Sequence, residues 1–376
     1  MSVEAPLVLV TGVSGFIASW VAHGALKLGY RVRGTVRSLS NENKVKHLRD
    51  LYPGSKYSIE LVEADLMNSE SWTKAVEGCD YILHVASPFP LDEPKDPQEV
   101  IQPAVEGTLN VLKAASELAK PPKRVIVTSS FYAIGYGVDP RNKVFTDADW
   151  TNPENKAYPI NSYGKSKVFA ERAAWDFVEK LPADKKFELA TVNPGLVQGP
   201  MLSGSSCSSA EIVTQITTAK MPAIPDVWIP YVSVLEVARA HLLAMTVPEA
   251  AGKRFLVIND TMSFKQMSET LVAELGPKGY KPVTFTAPNW LLSVMAFFGD
   301  KQAKDIVPLL GIKQQCDPVN CKTVLNMKGL TPQPSLIADM AYAAINAGIM
   351  PDRSEGSSIT KNYVVPELDV SDIAKP

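Results

Sequence analysis

Leu7-Val8-Leu9-Val10-Thr11-Gly12-Val13-Ser14-Gly15-Phe16-Ile17-Ala18 carries an apolar run into a glycine turn and out again as a helical pattern that extends to Leu28. The small residues fall where geometry needs them. Gly12 permits the tight turn, Gly15 lets backbone approach a pyrophosphate at the positive end of a helix, and Ala18 allows that helix to pack closely on the strand. A glycine spacing alone is weak, but a strand before it and a crossover helix after it read as the cradle of a dinucleotide. Gly12, Ser14, Gly15, Phe16 and Ile17 are therefore candidate cofactor contacts.

Further strand-like runs at 31–36, 58–62, 81–85, 124–128 and 188–192 alternate with helical patterns near 17–28, 45–51, 72–76, 100–118 and 165–180. Apolar strands separated by helices of crossover length predict an α/β fold, a doubly wound parallel sheet covered on both faces in the NAD(P)-binding Rossmann manner. Regularity breaks after Pro194. A Ser/Gly-rich segment at 203–209 leads into a Pro-rich stretch at 221–230, and a further strand at 254–258 returns to the sheet. The expected organisation is an NADP-binding domain over 1–200 with 228–260 and a smaller, mostly helical substrate-binding region over 201–227 with 261–350. Residues 351–376 read as a polar tail, poorly ordered or draped on the surface, in which Tyr363-Val364-Val365 is the stretch suited to docking.

With 38 basic against 40 acidic residues in 376, nothing favours nucleic acid or an anionic membrane as partner, and small neutral ligands fit better. Cys79, Cys207, Cys316 and Cys321 are scattered without paired or metal-ligand spacing, so they read as reduced thiols and no metal is expected. The amino terminus enters a strand with no basic region or long apolar stretch, which argues against a secretory signal and for a cytoplasmic protein. The longest apolar run, 290–298, is far short of the ~20 residues of a membrane helix. It reads as a buried or lid helix, with peripheral membrane contact as the alternative.

The second strand selects the dinucleotide, because a preference for NAD usually places an acidic side chain there for the adenosine ribose. None occurs between Tyr30 and Asn41. Thr35-Val36-Arg37-Ser38 instead puts Arg37 at the strand end, with Lys44 beyond it and Arg33 nearby, so cations can meet the 2′-phosphate of NADPH or NADP. Arg33 and Lys44 also read as plain solvated charges. Asp65-Leu66 is placed for a carboxylate to accept from the adenine amino group, although Asn68 and Ser69 make an ordinary helix cap the competing reading. In His84-Val85-Ala86-Ser87-Pro88, Val85, Ala86 and Ser87 let backbone pass beneath the cofactor ribose, while His84 reads as a core-facing, hydrogen-bonded histidine.

Two further stretches carry chemistry. Tyr163-Gly164-Lys165-Ser166-Lys167 places a phenol and an ammonium four residues apart on a helix that starts near Asn161-Ser162, so the two are neighbours on one face. Tyr52 and Lys56 share that spacing, but Pro53-Gly54 between them forces a turn. Upstream, the strand Arg124-Val125-Ile126-Val127-Thr128 runs into Ser129 and Ser130. Carbonyl reduction requires a hydride on one face and a proton for the developing alkoxide. Tyr163 is the candidate proton donor, Lys167 with the oxidised nicotinamide is expected to lower its pKa, and Ser130 is expected to hold the substrate oxygen.

This constellation resembles the extended short-chain dehydrogenase/reductase family over roughly residues 5–350. Within it the chain is most similar to the branch holding plant dihydroflavonol and anthocyanidin reductases and fungal aldehyde, ketone and methylglyoxal reductases. The shared stretches are Val10-Thr11-Gly12, Val32-Arg33-Gly34-Thr35-Val36-Arg37, His84-Val85-Ala86-Ser87-Pro88-Phe89, Val127-Thr128-Ser129-Ser130 and Asn193-Pro194-Gly195-Leu196-Val197-Gln198-Gly199-Pro200. The resemblance implies Ser130, Tyr163 and Lys167 as the catalytic trio. It also implies Thr128, Ser129, Pro194, Gly195, Leu196 and Val197 beside the cofactor, the last four at its nicotinamide end. Ala18 replaces the third glycine, as in the fungal members. The segment 228–241 also resembles the family, and Glu236 and His241 in it read as structural.

Departures narrow the expectation. Many extended members carry an asparagine three residues before the glycine of a Val-x-Gly-Thr turn, where this chain has Ala104. Plant flavonoid reductases carry Asn or Asp five residues after the catalytic serine, where this chain has Gly135, which argues against a flavonoid. Cinnamoyl-CoA reductases have an aromatic- and cysteine-bearing segment where this chain reads Pro159-Ile160-Asn161-Ser162, which argues against a CoA thioester. Phe89, Phe131, Tyr132, Met201 and the Trp228 region are candidate substrate walls, with buried packing an equal reading for each. The expected protein is an NADPH-dependent reductase of an apolar aldehyde or ketone, monomeric or homodimeric. The alternatives are a 3β-hydroxysteroid or sterol dehydrogenase of the same superfamily and a non-catalytic NADP-sensing regulator; Arg37 argues against a sugar-nucleotide epimerase.

Overall fold

The computed structural model describes residues 4–88, 94, 96–202, 207–330, 332–353 and 363–376. In chain order the first half contains β1 (Leu7–Val10), α1 (Phe16–Leu28), β2 (Arg31–Val36), α2 (Glu42–Val45), β3 (Glu60–Glu63), α3 (Glu70–Val76), β4 (Tyr81–His84), α4 (Gln98–Glu117), β5 (Arg124–Thr128), β6 (Val144–Thr146) and α5 (Ser162–Glu179). The second half contains β7 (Glu188–Pro194), β8 (Leu196–Gln198), α6 (Ser208–Thr217), β9 (Trp228–Ser233), α7 (Val234–Thr246), β10 (Arg254–Val257) and β11 (Asp260–Ser263). The helices α8 (Phe264–Leu275), α9 (Asn289–Phe297) and α10 (Lys301–Ile306), then β12 (Gln315–Asp317), α11 (Val319–Thr323) and α12 (Leu336–Asn346), follow.

Every apolar run read as a strand enters one seven-stranded sheet, in the order β10-β7-β5-β4-β1-β2-β3, with all neighbours parallel. The period-two geometry of a strand divides its side chains between two cores. Val8 and Val10 of β1 join α1 and α7 in one apolar cluster, whereas Leu7 and Leu9 join Trp72, Leu112 and Ala174 of α3, α4 and α5 in the other. A strand covered on both faces has no polar side to show, which is why these runs lack alternation. The expected helix at 45–51 divides into the short α2 and a 3-10 turn over Lys46–Asp50.

Two smaller sheets had no sequence signal. β8 pairs in parallel with β9, which pairs antiparallel with β11, and β6 pairs in parallel with β12. The stretch 228–233 thus lies in the three-stranded sheet beside the large one.

Two expectations are corrected. α9, anticipated as a buried or lid helix, is apolar nearly all round, so packing one side leaves the others in solvent. Ala296 is its buried residue, while Trp290, Phe297 and Phe298 are 68%, 85% and 81% exposed. Among the described residues no helix is long and apolar enough to cross a membrane. The tail divides: Tyr363 docks as anticipated, stacked on Tyr342 of α12 at 5.0 Å, whereas Val364 and Val365 remain exposed and the rest of 363–376 is held by side chains sunk into the core of α1 and α7. Leu368, Val370 and Ile373 are buried, and a Cβ built on Gly24 of α1 would lie 2.7 Å from Leu368. Lys27 of α1 pairs with Glu367 and donates to the Leu368 carbonyl at 2.8 Å; Arg239 of α7 donates to the Asp369 carbonyl at 2.7 Å and to Asp372 at 2.9 Å.

Leu368→Ala should therefore behave as a core truncation and lower unfolding free energy by about 2–4 kcal/mol. Urea denaturation checks this; a loss near zero would mean that the segment merely lies on the surface.

Candidate active site

The strands β1 and β4 are neighbours whose connections leave the sheet in opposite directions, and such a reversal opens a crevice at the carboxyl ends of the strands. Thr11 closes the base of that crevice. Its buried hydroxyl accepts from the Val85 and Ala86 amides at 3.0 and 2.9 Å and lies 3.0 Å from His84 Nδ1. A hydroxyl has two acceptor positions and one proton, so with both positions taken the O–H donates to Nδ1 and the ring proton sits on Nε2. His84 is accordingly a neutral core histidine, its pKa pushed down to about 3 by burial and then by the charge of Lys167.

Gly12 has φ +69°, the left-handed region, and a Cβ there would stand 3.0 Å from that of Ala86. Its amide donates to the Thr35 hydroxyl of β2 at 2.9 Å, and the Val13 amide to the Thr35 carbonyl at 3.0 Å. Gly15 caps α1 with extended backbone and no side-chain cap bond, so the first amides of α1 face the turn. Ser14 and Ile17 are half-buried and Phe16 is buried beside it. These features fit a pyrophosphate: a turn with no side chain in the way and a helix amino end aimed at it.

At the adenosine side the cations separate. Arg37 and Lys44 are exposed and, among the described residues, their side chains form no ion pair or hydrogen bond. Arg33 does not join them. It lies opposite Glu60 in the β2–β3 register, pairs with it at 3.0 Å, and donates to the Ala75 and Glu77 carbonyls at 3.1 and 2.6 Å, so it closes the end of α3. Asp65 is exposed and accepts from the Met67 amide at 2.8 Å, in the turn leading to α3. The Leu66 carbonyl accepts from Asn110 of α4, and Gly107 leaves room for the Leu66 side chain.

Asn161 starts α5 by accepting from the Gly164 amide at 2.8 Å, which fixes the face on which Tyr163 and Lys167 lie. Lys167 is buried, with Nζ 5.4 Å from the centre of the Tyr163 ring, and it lines a small pocket with His84, Ala86, Ser87, Thr128 and Ser129. Burial pushes its pKa down to about 8. Burial, with Tyr132 second, raises the Tyr163 phenol above its ordinary value, the opposite direction to the expected lowering by Lys167. Desolvation is the reason: both groups lose water, and each then favours its neutral form.

Ser130 follows β5, half-buried, its hydroxyl accepting from the Tyr132 amide at 3.2 Å and its carbonyl from Asn193 at 3.3 Å. Ser129 and Thr128 are already engaged. The Ser129 hydroxyl donates to buried Glu171, and Thr128 lies 2.7 Å from Nε2 of His241, whose Nδ1 donates to the Val237 carbonyl. His241 and Glu236, which pairs with Arg239, lie on α7 in structural roles as expected. Pro194 and Val197 are buried and Leu196 half-buried; Gly195 passes so near β9 that a Cβ would meet the Pro230 carbonyl at 2.4 Å.

Of the proposed substrate walls, Tyr132 stacks on Tyr136 at 4.4 Å and stands edge-on to Tyr163 at 5.6 Å. Phe131 instead turns inward, 3% exposed, among Ile134, Phe145, Leu256 and Ile258. Its ring fills the space over Gly135, where a Cβ would fall 2.0 Å from it. Met201 packs half-buried on the main core, and Phe89 lies outside the described residues. Sequence reasoning missed Thr11, Thr35, Glu171, Asn193 and Arg254. Glu171 had one available signal, a carboxylate one turn beyond Lys167 on the same face of α5.

The NAD dependent epimerase/dehydratase family model matches residues 8–258. A cinnamoyl-CoA reductase of Medicago truncatula is 40% identical over 262 residues, covering 67% of this chain and 76% of that protein. A tetraketide alpha-pyrone reductase of Arabidopsis thaliana is 37% identical over 71% of this chain and 80% of that one. Among solved structures, yeast methylglyoxal/isovaleraldehyde reductase Gre2 complexed with NADPH superposes with a TM-score of 0.72 at 27% identity, over 90% of this chain and 98% of that one.

Thr11→Val keeps the shape of the side chain but leaves the Val85 and Ala86 amides without their acceptor. The variant should lose about 1–3 kcal/mol of stability and bind a dinucleotide more weakly; thermal unfolding and NADPH fluorescence titration check both.

Proposed function

The chain belongs to the NAD dependent epimerase/dehydratase family, among its extended short-chain dehydrogenase/reductases, and is an NADPH-dependent oxidoreductase; we propose that it reduces an aldehyde or ketone to the alcohol, with Tyr163 as the proton donor. The observation that carries this reading is the pairing of Tyr163 with Lys167 on α5, where Lys167 lines a small pocket between the ends of β4 and β5. NADPH, when bound, supplies the hydride.

The residues of the chain would do the rest. Arg37, just past β2, and Lys44, on α2, hold the 2′-phosphate, since both side chains present uncommitted charge. The amino end of α1 holds the pyrophosphate, and Val85, Ala86, Ser87 and Lys167 border the ribose next to the reacting centre. Ser130 orients the carbonyl by donating to its oxygen. Tyr163 then gives its proton to that oxygen as negative charge develops there. A phenol raised in pKa is protonated throughout the physiological range, which is the state a donor must start from, and the alkoxide it meets is more basic still. The Lys167 ammonium stabilises the phenolate left behind.

Substrate choice falls to the wall made by Tyr132. Its ring stands beside the phenol of Tyr163, and Gly164 leaves no side chain between them, for a Cβ there would come within 2.6 Å of Tyr132. An aromatic wall favours an apolar carbonyl compound. At Gly135 the Phe131 ring leaves no space for a side chain that could meet a polyphenol, which supports a non-flavonoid substrate. The relatives' names span cinnamoyl-CoA and isovaleraldehyde, so they support the reaction class and leave the substrate to this pocket. The exposed apolar α9 favours a second reading, a steroid or sterol dehydrogenase working at a lipid surface, which a preference for NADH would support.

Absorbance loss of NADPH and of NADH across aliphatic, aromatic, dicarbonyl and steroid carbonyls, with cinnamoyl-CoA included, tests the proposal. Turnover should prefer NADPH, disappear in Tyr163→Phe, and in Arg37→Ala show a KM for NADPH raised about 10- to 100-fold. Turnover that survives in Tyr163→Phe would remove the phenol from its role.

The pH dependence has a definite sign. Lys167 is cationic below its pKa of about 8 and neutral above it, so carbonyl reduction at saturating NADPH should fall as pH rises through that value. Initial rates from pH 6 to about 10 check this, and a flat profile would mean that the ammonium does not support the phenolate.

A further inference from the structure

Three segments meet at the site just described: α5 with Tyr163 and Lys167, the end of β5 leading to Ser130, and the end of β7 leading to Pro194. One side chain touches all three. Glu171 lies one turn beyond Lys167 and two beyond Tyr163 on the same face of α5, and it is 1% exposed. One carboxylate oxygen accepts from the Ser129 hydroxyl and from Asn193 Nδ2 at 2.6 Å. The other accepts from Arg254 Nε at 2.6 Å and Trp175 Nε1 at 3.3 Å, and it lies 3.1 Å from the Thr191 hydroxyl, whose one proton it shares with Asn193 Oδ1 at 2.9 Å.

The partners pass the constraint outward. Asn193 Nδ2 also donates to the Ser130 carbonyl at 3.3 Å, and Asn193 immediately precedes Pro194. The Arg254 guanidinium donates to the carbonyls of Asp147 at 2.9 Å, Ala133 at 3.2 Å and Asp149, and lies 3.8 Å from the centre of the Trp150 ring. Asp147 in turn accepts from the Leu256 amide at 2.6 Å and the Asn320 amide at 2.9 Å.

We infer that Glu171 is a positioning residue for carbonyl reduction: its carboxylate fixes the distance of Ser130 and of the Pro194–Val197 backbone from Tyr163 and Lys167. The inference rests on the roles proposed for Ser130 and Tyr163. Only an acceptor without protons satisfies four converging donors and a shared hydroxyl proton, and a carboxylate is the side chain with that inventory. Replaced by an amide, it would turn N–H groups toward donors, and the ends of β5 and β7 would have to move apart. A buried ion pair adds little net stability over an apolar replacement of equal volume, so its distinguishing contribution is geometric.

The experiment compares wild type, Glu171→Gln, Ser129→Ala and Tyr163→Phe with the fastest carbonyl of the panel above, together with NADPH fluorescence titration and thermal unfolding. Glu171→Gln should lower kcat about 10- to 100-fold, the loss that a displacement near 1 Å causes, while the carbonyl KM and the NADPH Kd stay within about threefold. Ser129→Ala removes one of the two links toward Ser130 and leaves that through Asn193; it should lower kcat in the same direction by a smaller factor with Tm unchanged, and it decides alone if Glu171→Gln does not fold. A kcat within about twofold of wild type in the folded variants overturns the inference, as does a kcat loss matched by equal loss of NADPH binding or of folded protein. Tyr163→Phe that still turns over would overturn the assignment of the proton donor instead, so the two failures are distinct.

Discussion

One hydroxyl holds the crevice shut at its base. Where the direction of winding reverses between β1 and β4, their ladder ends with the Thr11 amide bonded to the Leu83 carbonyl, and the amides that follow β4 must find acceptors beyond it. Thr11 takes two of them, Val85 and Ala86, on its single oxygen while its proton goes to His84. Thr35 does the same for the glycine turn from the next strand over. The turn is therefore set by two threonine hydroxyls before any ligand arrives, and a prearranged site spends little binding energy on ordering itself.

Behind that crevice the interior sorts its charges. His84 is kept neutral by burial and by Lys167, and Lys167 is itself drawn toward neutrality. With His84 unable to take up a proton near neutral pH, Lys167 is the member of this pair whose charge changes in the working range. One turn further along the same face of α5 the opposite solution appears: Glu171 and Arg254 remain deep in the protein by satisfying one another and a ring of hydroxyl, amide and carbonyl groups. Uncompensated burial tunes one turn of that face; full compensation rigidifies the next.

What the sequence revealed and what it concealed follow from the range of the interactions. Strands of the main sheet, the glycine turn and the Tyr163–Lys167 spacing were legible because their causes are local: continuous apolar runs, small residues in a turn, and one helical period. Arg33 and Arg37 looked alike in the sequence and differ only because register sets Arg33 opposite Glu60, which no local pattern encodes. β6 and β12 are three residues each and far apart in the chain, so their pairing carried no signal. Phe131 could have faced either way; the absence of a side chain at Gly135 decided it. Glu171 was visible as a position but not as a role, because a glutamate on a helix reads as solvated until Ser129, Asn193 and Arg254, from three distant segments, are brought around it.

The docking of residues 363–376 on α1 has a consequence for the order in which the molecule assembles. The helix α1, whose amino end faces the glycine turn, is synthesised more than 300 residues before Leu368 and Val370, which fill its outer groove. Contacts such as Lys27 to Leu368 are about as non-local as this chain allows, and loop closure over so long a span slows their formation. A nascent chain lacking that segment carries an apolar groove open on α1, a surface that attracts chaperones or other unfinished chains. Completion of the core around α1 is thereby deferred until residues 363–376 have been synthesised.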